Sequence, residues 1–133
     1  MTQNKNILVD VKDLSKLYPI GQGVFKKAAS FVHAVSHLNL QIKRGESVGL
    51  VGESGCGKTT TGKLMTRLID PSEGNILLDT DEGKVDIAHL RGSEMKIFRR
   101  RVQMIFQDPY ESMNPRLTIY DTVAEPLNVQ GVG

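Results

Sequence analysis

The 133-residue sequence predicts an α/β fold, in which a glycine-rich loop joins a strand to a helix and further strands form an antiparallel subdomain. Residues 48–51 are an apolar run, residues 52–57 contain three glycines, and residues 58–70 carry apolar side chains at helical spacing. Upstream, Leu38 and Leu40 alternate with polar residues, which is the pattern of a strand.

Three strands are predicted before the glycine-rich loop. The first covers residues 7–11, and glycine and proline residues indicate a loop or an insertion at 19–31. The second strand, at 38–42, turns tightly into the third, at 48–51. The third strand is apolar almost throughout, so we expect it to be buried on both faces.

The helix after the loop has its apolar side chains on one face, and Pro71 ends it. Ser93 is a candidate N-cap for a later basic helix. The elements predicted after the loop are, in chain order, a helix at 58–70, a strand at 72–79, a polar loop at 79–84, a basic helix at 93–102, an apolar strand at 102–107, an irregular segment at 108–116 and a helix at 118–127.

Composition argues against several classes of function. The formal net charge is only +2, which gives no sign of a nucleic acid as partner. A single cysteine cannot form an internal disulfide, which favours a reducing, cytoplasmic setting. No stretch approaches the ~20 apolar residues of a membrane span, so we expect any membrane association to go through a partner. The three histidines lack the spacing of metal ligands.

The spacing Gly52-x-x-x-x-Gly57-Lys58-Thr59 is that of a phosphate-binding loop. Glycines let the backbone approach an anion closely, and N–H groups at the start of the helix then bind phosphate oxygens. Lys58 supplies a charge for the β- and γ-phosphates, Thr59 a hydroxyl for Mg²⁺ and Thr60 a further donor. The predicted nucleotide-binding residues of this loop are Gly52, Glu53, Ser54, Gly55, Cys56, Gly57, Lys58, Thr59 and Thr60.

Cys56 admits a second interpretation, because the start of a helix lowers the pKa of a thiol. A cysteine phosphatase would need an arginine six residues after its nucleophile, and here that position is Gly62. We therefore interpret Cys56 as a small loop residue whose backbone matters.

Four stretches of the sequence, "LSKLY", "GESGCGKTTTGKLM", "PSEGNI" and "MIFQDPYESMNPRLTI", together resemble a known family. The chain is similar to the ATP-binding subunit of ABC transporters, in the oligopeptide/dipeptide importer branch, and the resemblance covers essentially all 133 residues. The last stretch is the most distinctive, whereas the glycine-rich stretch alone indicates only an ATPase.

The resemblance implies roles for two residues outside the loop. Tyr18 corresponds to the aromatic residue that stacks on adenine, and a ring face suits that task. Gln107 corresponds to the glutamine that contacts Mg²⁺ and the attacking water, and residues 108–116 would face the membrane-spanning partner. ATP and Mg²⁺ are the implied cofactors, with Thr59 and Gln107 as the metal-binding residues.

The resemblance also implies partners and a location. These are a second ATP-binding subunit, identical or not, transmembrane permease subunits and, indirectly, an extracellular solute-binding protein. The chain would lie on the cytoplasmic side of the cell membrane as a peripheral subunit that energises import, with a peptide as the expected solute.

Two acids resemble a Mg²⁺-binding carboxylate placed after an apolar strand, Asp79 and Asp108. If Asp108 had that role, the chain would be a small stand-alone P-loop kinase or NTPase. A catalytically inactive binding fragment is a further alternative. We expect Asp79 to be merely exposed, and the basic runs near residues 26 and 100 to be solvated surfaces.

Three motifs of the family do not occur in this sequence: the signature (a Leu-Ser-Gly-Gly-Gln-like stretch), the Asp-Glu pair after an apolar strand, and the switch histidine. We therefore expect residues 1–133 to be the N-terminal portion of one ABC-type ATP-binding domain, without the helical signature subdomain and the C-terminal half. We also expect this chain to bind ATP without hydrolysing it, because no glutamate stands where the family places its catalytic base.

Overall fold

The computed structural model describes residues 6–20, 30–108 and 114–131. Its contacts divide the chain into two compact units, Met1–Arg91 and Gly92–Gly133, which are described separately. The elements of the first unit are β1 (Ile7–Ile20), β2 (Ser30–Lys43), α1 (Lys58–Met65), β3 (Glu73–Thr80), β4 (Gly83–Asp86) and a 3₁₀ turn (Ile87–His89). Those of the second unit are α2 (Gly92–Arg101) and α3 (Ile119–Gln130).

The four strands form one antiparallel sheet in the order β2-β1-β3-β4. This confirms the antiparallel subdomain that the sequence predicts. β1 and β2 are longer than predicted, because their pairing continues as far as Ile20 and Ser30. Most of the predicted loop at 19–31 lies outside the described residues. Pro19 is tolerated in β1 because the pairing of β1 with β3 stops at Ser15, so the missing N–H costs no bond to β3.

The core of the first unit lies between the sheet and α1. Its most deeply buried apolar side chains are Val11 and Leu14 from β1, Leu64 from α1 and Ile76 from β3, none more than 1% exposed. The helix therefore packs its apolar face on the sheet, as its spacing predicts.

α1 ends earlier than predicted, at Met65 instead of residue 70. The cause is Arg67, whose φ of +53° is left-handed and stops the helix before Pro71 does. Leu68, which the helical pattern places on the apolar face, is consequently 48% exposed.

The two apolar strands predicted at 48–51 and 102–107 do not form, and this part of the prediction is wrong. Val51 is 93% exposed and Ile105 is 95% exposed. The described sheet includes neither segment. Apolar side chains alone do not make a strand, because its N–H and C=O groups need a neighbouring strand as partner.

The helix predicted at 118–127 is confirmed as α3, which begins one residue later, at Ile119, and ends three residues later, at Gln130. Thr118 caps it, with its hydroxyl accepting from the N–H of Asp121 while the Asp121 carboxylate accepts from the N–H of Thr118. The basic helix α2 begins at Gly92, so Ser93 lies inside its first turn and not before it.

Asp86 closes the end of β4 with hydrogen bonds to both of its carboxylate oxygens. One oxygen accepts the N–H groups of Ile76 (3.1 Å) and Ala88 (3.0 Å), and the other accepts from Asn75 (2.7 Å) and lies 2.7 Å from Nδ1 of His89. Burial alone would raise the pKa of Asp86, but these hydrogen bonds outweigh it and hold the pKa below its ordinary value of 3.8.

Asp86→Ala should therefore lower the free energy of unfolding by about 1–3 kcal/mol near neutral pH. Because the pKa of Asp86 is lower in the folded chain, its contribution is complete at neutral pH and is lost as the pH falls from about 5 through the folded pKa. The difference between the wild-type chain and the variant should shrink at about pH 3. Urea unfolding of both chains at neutral pH and at about pH 3 measures this difference.

Asp81→Ala is the matched control, because Asp81 is exposed in the turn between β3 and β4. At neutral pH, Asp81→Ala should lower the free energy of unfolding far less than Asp86→Ala does. Equal losses for the two variants, or a loss for Asp86→Ala that does not change with pH, would contradict the role given to Asp86.

Candidate nucleotide-binding site

The glycine-rich loop enters α1 directly, as the sequence predicts. Gly57 is the N-cap of α1 with a φ of +93°, and no side chain caps the helix. The first bond of the helix runs from the N–H of Thr61 to the carbonyl of Gly57 (2.8 Å). The N–H groups of residues 58–60 precede that bond, so α1 cannot satisfy them. An uncapped helix start of this kind favours an anion.

Lys58 is folded over this loop. Its ammonium group donates to the carbonyls of Gly52 (2.8 Å) and Glu53 (2.6 Å) and lies 3.6 Å from the sulfur of Cys56. These contacts hold one positive charge beside the uncapped N–H groups. Both features attract the same kind of ligand, an anion with several oxygen atoms.

Cys56 is exposed, and its sulfur lies close to Gly52. A Cβ added to Gly52 would stand 2.6 Å from that sulfur, so the thiol fits only because residue 52 is a glycine. This contact supports the interpretation of Cys56 as a small loop residue. Of the threonines, Thr59 is exposed and Thr60 is half-buried in the first turn of α1.

A close contact joins the loop to the β1–β2 pair. A Cβ on Gly57 would lie 2.4 Å from the carbonyl oxygen of Ala34 in β2, so the loop backbone rests directly on the strand. Tyr18 of β1 pairs with Val32, two residues before Ala34. Two residues of a strand span about 7 Å, so Tyr18 stands within a short distance of the loop. The predicted adenine-binding residue therefore lies in the strand that pairs with the strand contacted by the loop.

Gln107 lies in the second unit, where it is exposed. Its contact with Mg²⁺ stays a prediction. Much of the neighbouring segment 108–116 is outside the described residues. Among the described residues, no three His, Cys, Asp or Glu side chains cluster as a metal site. The predicted contact of Thr59 with a divalent ion likewise stays a prediction.

Asp79 differs from its expectation. Its side chain is 28% exposed, and it forms an ion pair with Arg44 at 2.9 Å. The pair joins the end of β3 to the turn after β2, so the carboxylate of Asp79 has a structural partner. This gives no support to Asp79 as a metal ligand.

Sequence reasoning missed three residues beside the site: Lys16, Arg67 and Asp70. Arg67 binds the carboxylate of Asp70, and Lys16 donates to the carbonyl of Asp70 (2.7 Å). The hydrogen bond from Arg67, together with its charge, holds the pKa of Asp70 below its usual value. The only sequence signal was an arginine three residues before an aspartate, which is also a common pattern on helix surfaces.

The chain belongs to the ABC transporter family, whose pattern matches residues 35–130. It is 48% identical over 120 residues to a probable peptide ABC transporter ATP-binding protein, y4tS, of Sinorhizobium fredii, covering 90% of this chain and 33% of that protein. It is 40% identical over 130 residues to the oligopeptide transport ATP-binding protein AppF of Bacillus subtilis, covering 97% of this chain and 38% of that one. The chain thus spans about a third of the length of these relatives.

Among solved structures, the chain is similar to the dimeric ATP-binding cassette MJ0796 in a post-hydrolysis state bound to ADP and Pi. The TM-score is 0.71 at 28% identity, covering 95% of this chain and 49% of that one. The likeness confirms the predicted fold class, that of an ABC-type ATP-binding cassette. Because the chain belongs to the ABC transporter family, the alternative of a small stand-alone P-loop kinase is discarded.

The contact between Gly57 and Ala34 can be tested with a matched pair of variants. Gly57→Ala should lower the free energy of unfolding clearly more than Gly55→Ala, measured by urea denaturation. Both glycines have a left-handed φ, +93° and +80°, so both variants carry backbone strain of about 1–2 kcal/mol. Only a Cβ at 57 meets backbone, whereas one at 55 meets nothing within 4 Å. Equal losses would show that the loop does not rest on β2.

Proposed function

We propose that this chain binds Mg-ATP, with the phosphates on residues 52–60 and the adenine on Tyr18. The observation that carries the proposal is the position of Lys58, whose ammonium group is held inside a glycine-rich loop at an uncapped helix start. The approach of β2 to Gly57 supports the adenine site, because it keeps Tyr18 near that loop.

Each residue has a distinct task in this proposal. The N–H groups at the start of α1 and the ammonium group of Lys58 bind phosphate oxygens, and the Tyr18 ring offers a face for stacking. The hydroxyl of Thr59 is one ligand for Mg²⁺. The amide oxygen of Gln107 is a second ligand, which would bind or leave the ion when the segment that carries it moves. When bound, Mg²⁺ neutralises charge on the phosphates.

We further propose that the chain acts within a transport ATPase that imports a peptide. The relatives y4tS and AppF are described as ATP-binding proteins of peptide transport, and their similarity covers nearly the whole of this chain. The expected partners are a second ATP-binding subunit, as in the dimeric cassette MJ0796, and permease subunits in the membrane. Among the described residues, no helix is long and apolar enough to cross a bilayer. A peripheral position on the cytoplasmic side of the membrane fits this assignment.

Hydrolysis needs a base for the attacking water. The Asp-Glu pair that the family uses does not occur in this sequence. We therefore propose that these 133 residues bind nucleotide and position it without turning it over.

Isothermal titration calorimetry with Mg-ATP tests the binding site. Lys58→Ala should weaken binding at least about tenfold, because charge-assisted hydrogen bonds to phosphate are lost. Lys63→Ala is the matched control, because it removes the same charge from the last turn of the same helix. Its affinity should stay close to that of the wild-type chain. Equal affinities for the wild-type chain and the Lys58 variant would sink the assignment.

A further inference from the structure

A buried arginine fixes the segment that follows α1. The Arg67 side chain is fully buried, its Nε donates to the carbonyl of Ile87 (2.7 Å), and its Nη1 binds the Asp70 carboxylate. Its Nη2 has no hydrogen-bond partner among the described residues. A buried charge is tolerated only where its partners stay in place, because breaking such a pair is strongly destabilising. The bond to Ile87 therefore connects the segment 67–70 to the 3₁₀ turn that follows β4.

The same segment is joined to β1 beside Tyr18. The ammonium group of Lys16 donates to the carbonyl of Asp70 (2.7 Å), and the N–H of Leu17 donates to the hydroxyl of Ser72 (3.0 Å). The N–H of Ser72 donates in turn to the carbonyl of Ser15 (2.9 Å). Three hydrogen bonds thus connect the chain after α1 to the three residues of β1 that precede Tyr18.

Lys16 also contacts the Tyr18 ring. Its ammonium nitrogen lies 5.1 Å from the ring centroid, within the range of a cation–π interaction. The two residues are two apart in β1 and so point to the same side of the strand. The ammonium group that contacts the ring is thus the same one that donates to the Asp70 carbonyl. Tyr18 as a whole is 41% exposed, which leaves surface for a ligand.

We propose that Lys16 is a positioning residue for base recognition: fixed by Asp70 and, through Asp70, by Arg67, it orients the Tyr18 ring so that a purine stacks on the free face. This inference rests on the proposed function and names a residue that the phosphate loop does not contain. It makes the base site depend on the chain that follows α1, while the phosphate site at the start of α1 does not depend on Lys16.

Calorimetry with two ligands separates these dependences. Mg-ATP needs both sites, whereas inorganic triphosphate with Mg²⁺ needs only the loop. Lys16→Met keeps the length of the side chain and removes its charge, and it should weaken Mg-ATP about two- to fivefold while leaving triphosphate unchanged. Lys16→Arg should restore the Mg-ATP affinity, because a guanidinium group can both bind the Asp70 carbonyl and contact the ring.

A double-mutant cycle distinguishes a role of Lys16 through Tyr18 from a merely structural role of Lys16. If Lys16 acts through Tyr18, adding Lys16→Met to Tyr18→Ala should cause no further loss of Mg-ATP affinity. Additive losses, or an equal loss for triphosphate, would overturn the proposal. Unchanged Mg-ATP binding in both single variants, with normal triphosphate binding, would overturn it and leave the phosphate site intact. A wild-type chain that binds neither ligand would refute the proposed function itself.

Discussion

The site depends on one steric constraint, the contact between the backbone of Gly57 and the carbonyl of Ala34. Only a residue without a Cβ allows the loop to approach β2 this closely, and the same residue begins α1 with a left-handed φ. One glycine therefore sets two things: where the uncapped N–H groups begin, and how near they lie to the strand that pairs with Tyr18. Lys58 adds its charge to a place that the backbone has already defined.

The other end of α1 is held by a different kind of interaction. Arg67 reaches the carbonyl of Ile87 from a position just after the helix, so the helix is attached to β2 at its start and to the 3₁₀ turn after β4 at its end. The first attachment is a close backbone contact, and the second is a buried charge that needs its acceptors. The segment that Arg67 holds also reaches Lys16, and this connects the far end of the helix with the strand that carries Tyr18, the proposed base-binding residue.

The parts predicted well from sequence were those governed by local chemistry. A glycine-rich loop and the helix start that follows it depend on neighbouring residues, and the structure shows both, whereas Ser93, the predicted cap of the basic helix, lies inside its first turn. The end of α1 could not be predicted, because Arg67 is placed by a carbonyl twenty residues away. The strand at 48–51 was predicted from apolar residues alone, but a strand also needs a partner to bind its backbone. Tyr18 was assigned through family resemblance, and only the register of β1 with β2 shows why it lies near the loop.

The central claim is that base and phosphates bind at one site formed by the β1–β2 pair and the start of α1. The most direct measurement is a titration of the isotope-labelled chain with Mg-ATP, followed by the NMR signals of the backbone amides of residues 55–60 and of the Tyr18 ring. If base and phosphates bind at this one site, both sets of signals shift together and give the same dissociation constant. Loop amides that shift while the Tyr18 ring signals stay unchanged at saturation would contradict this claim.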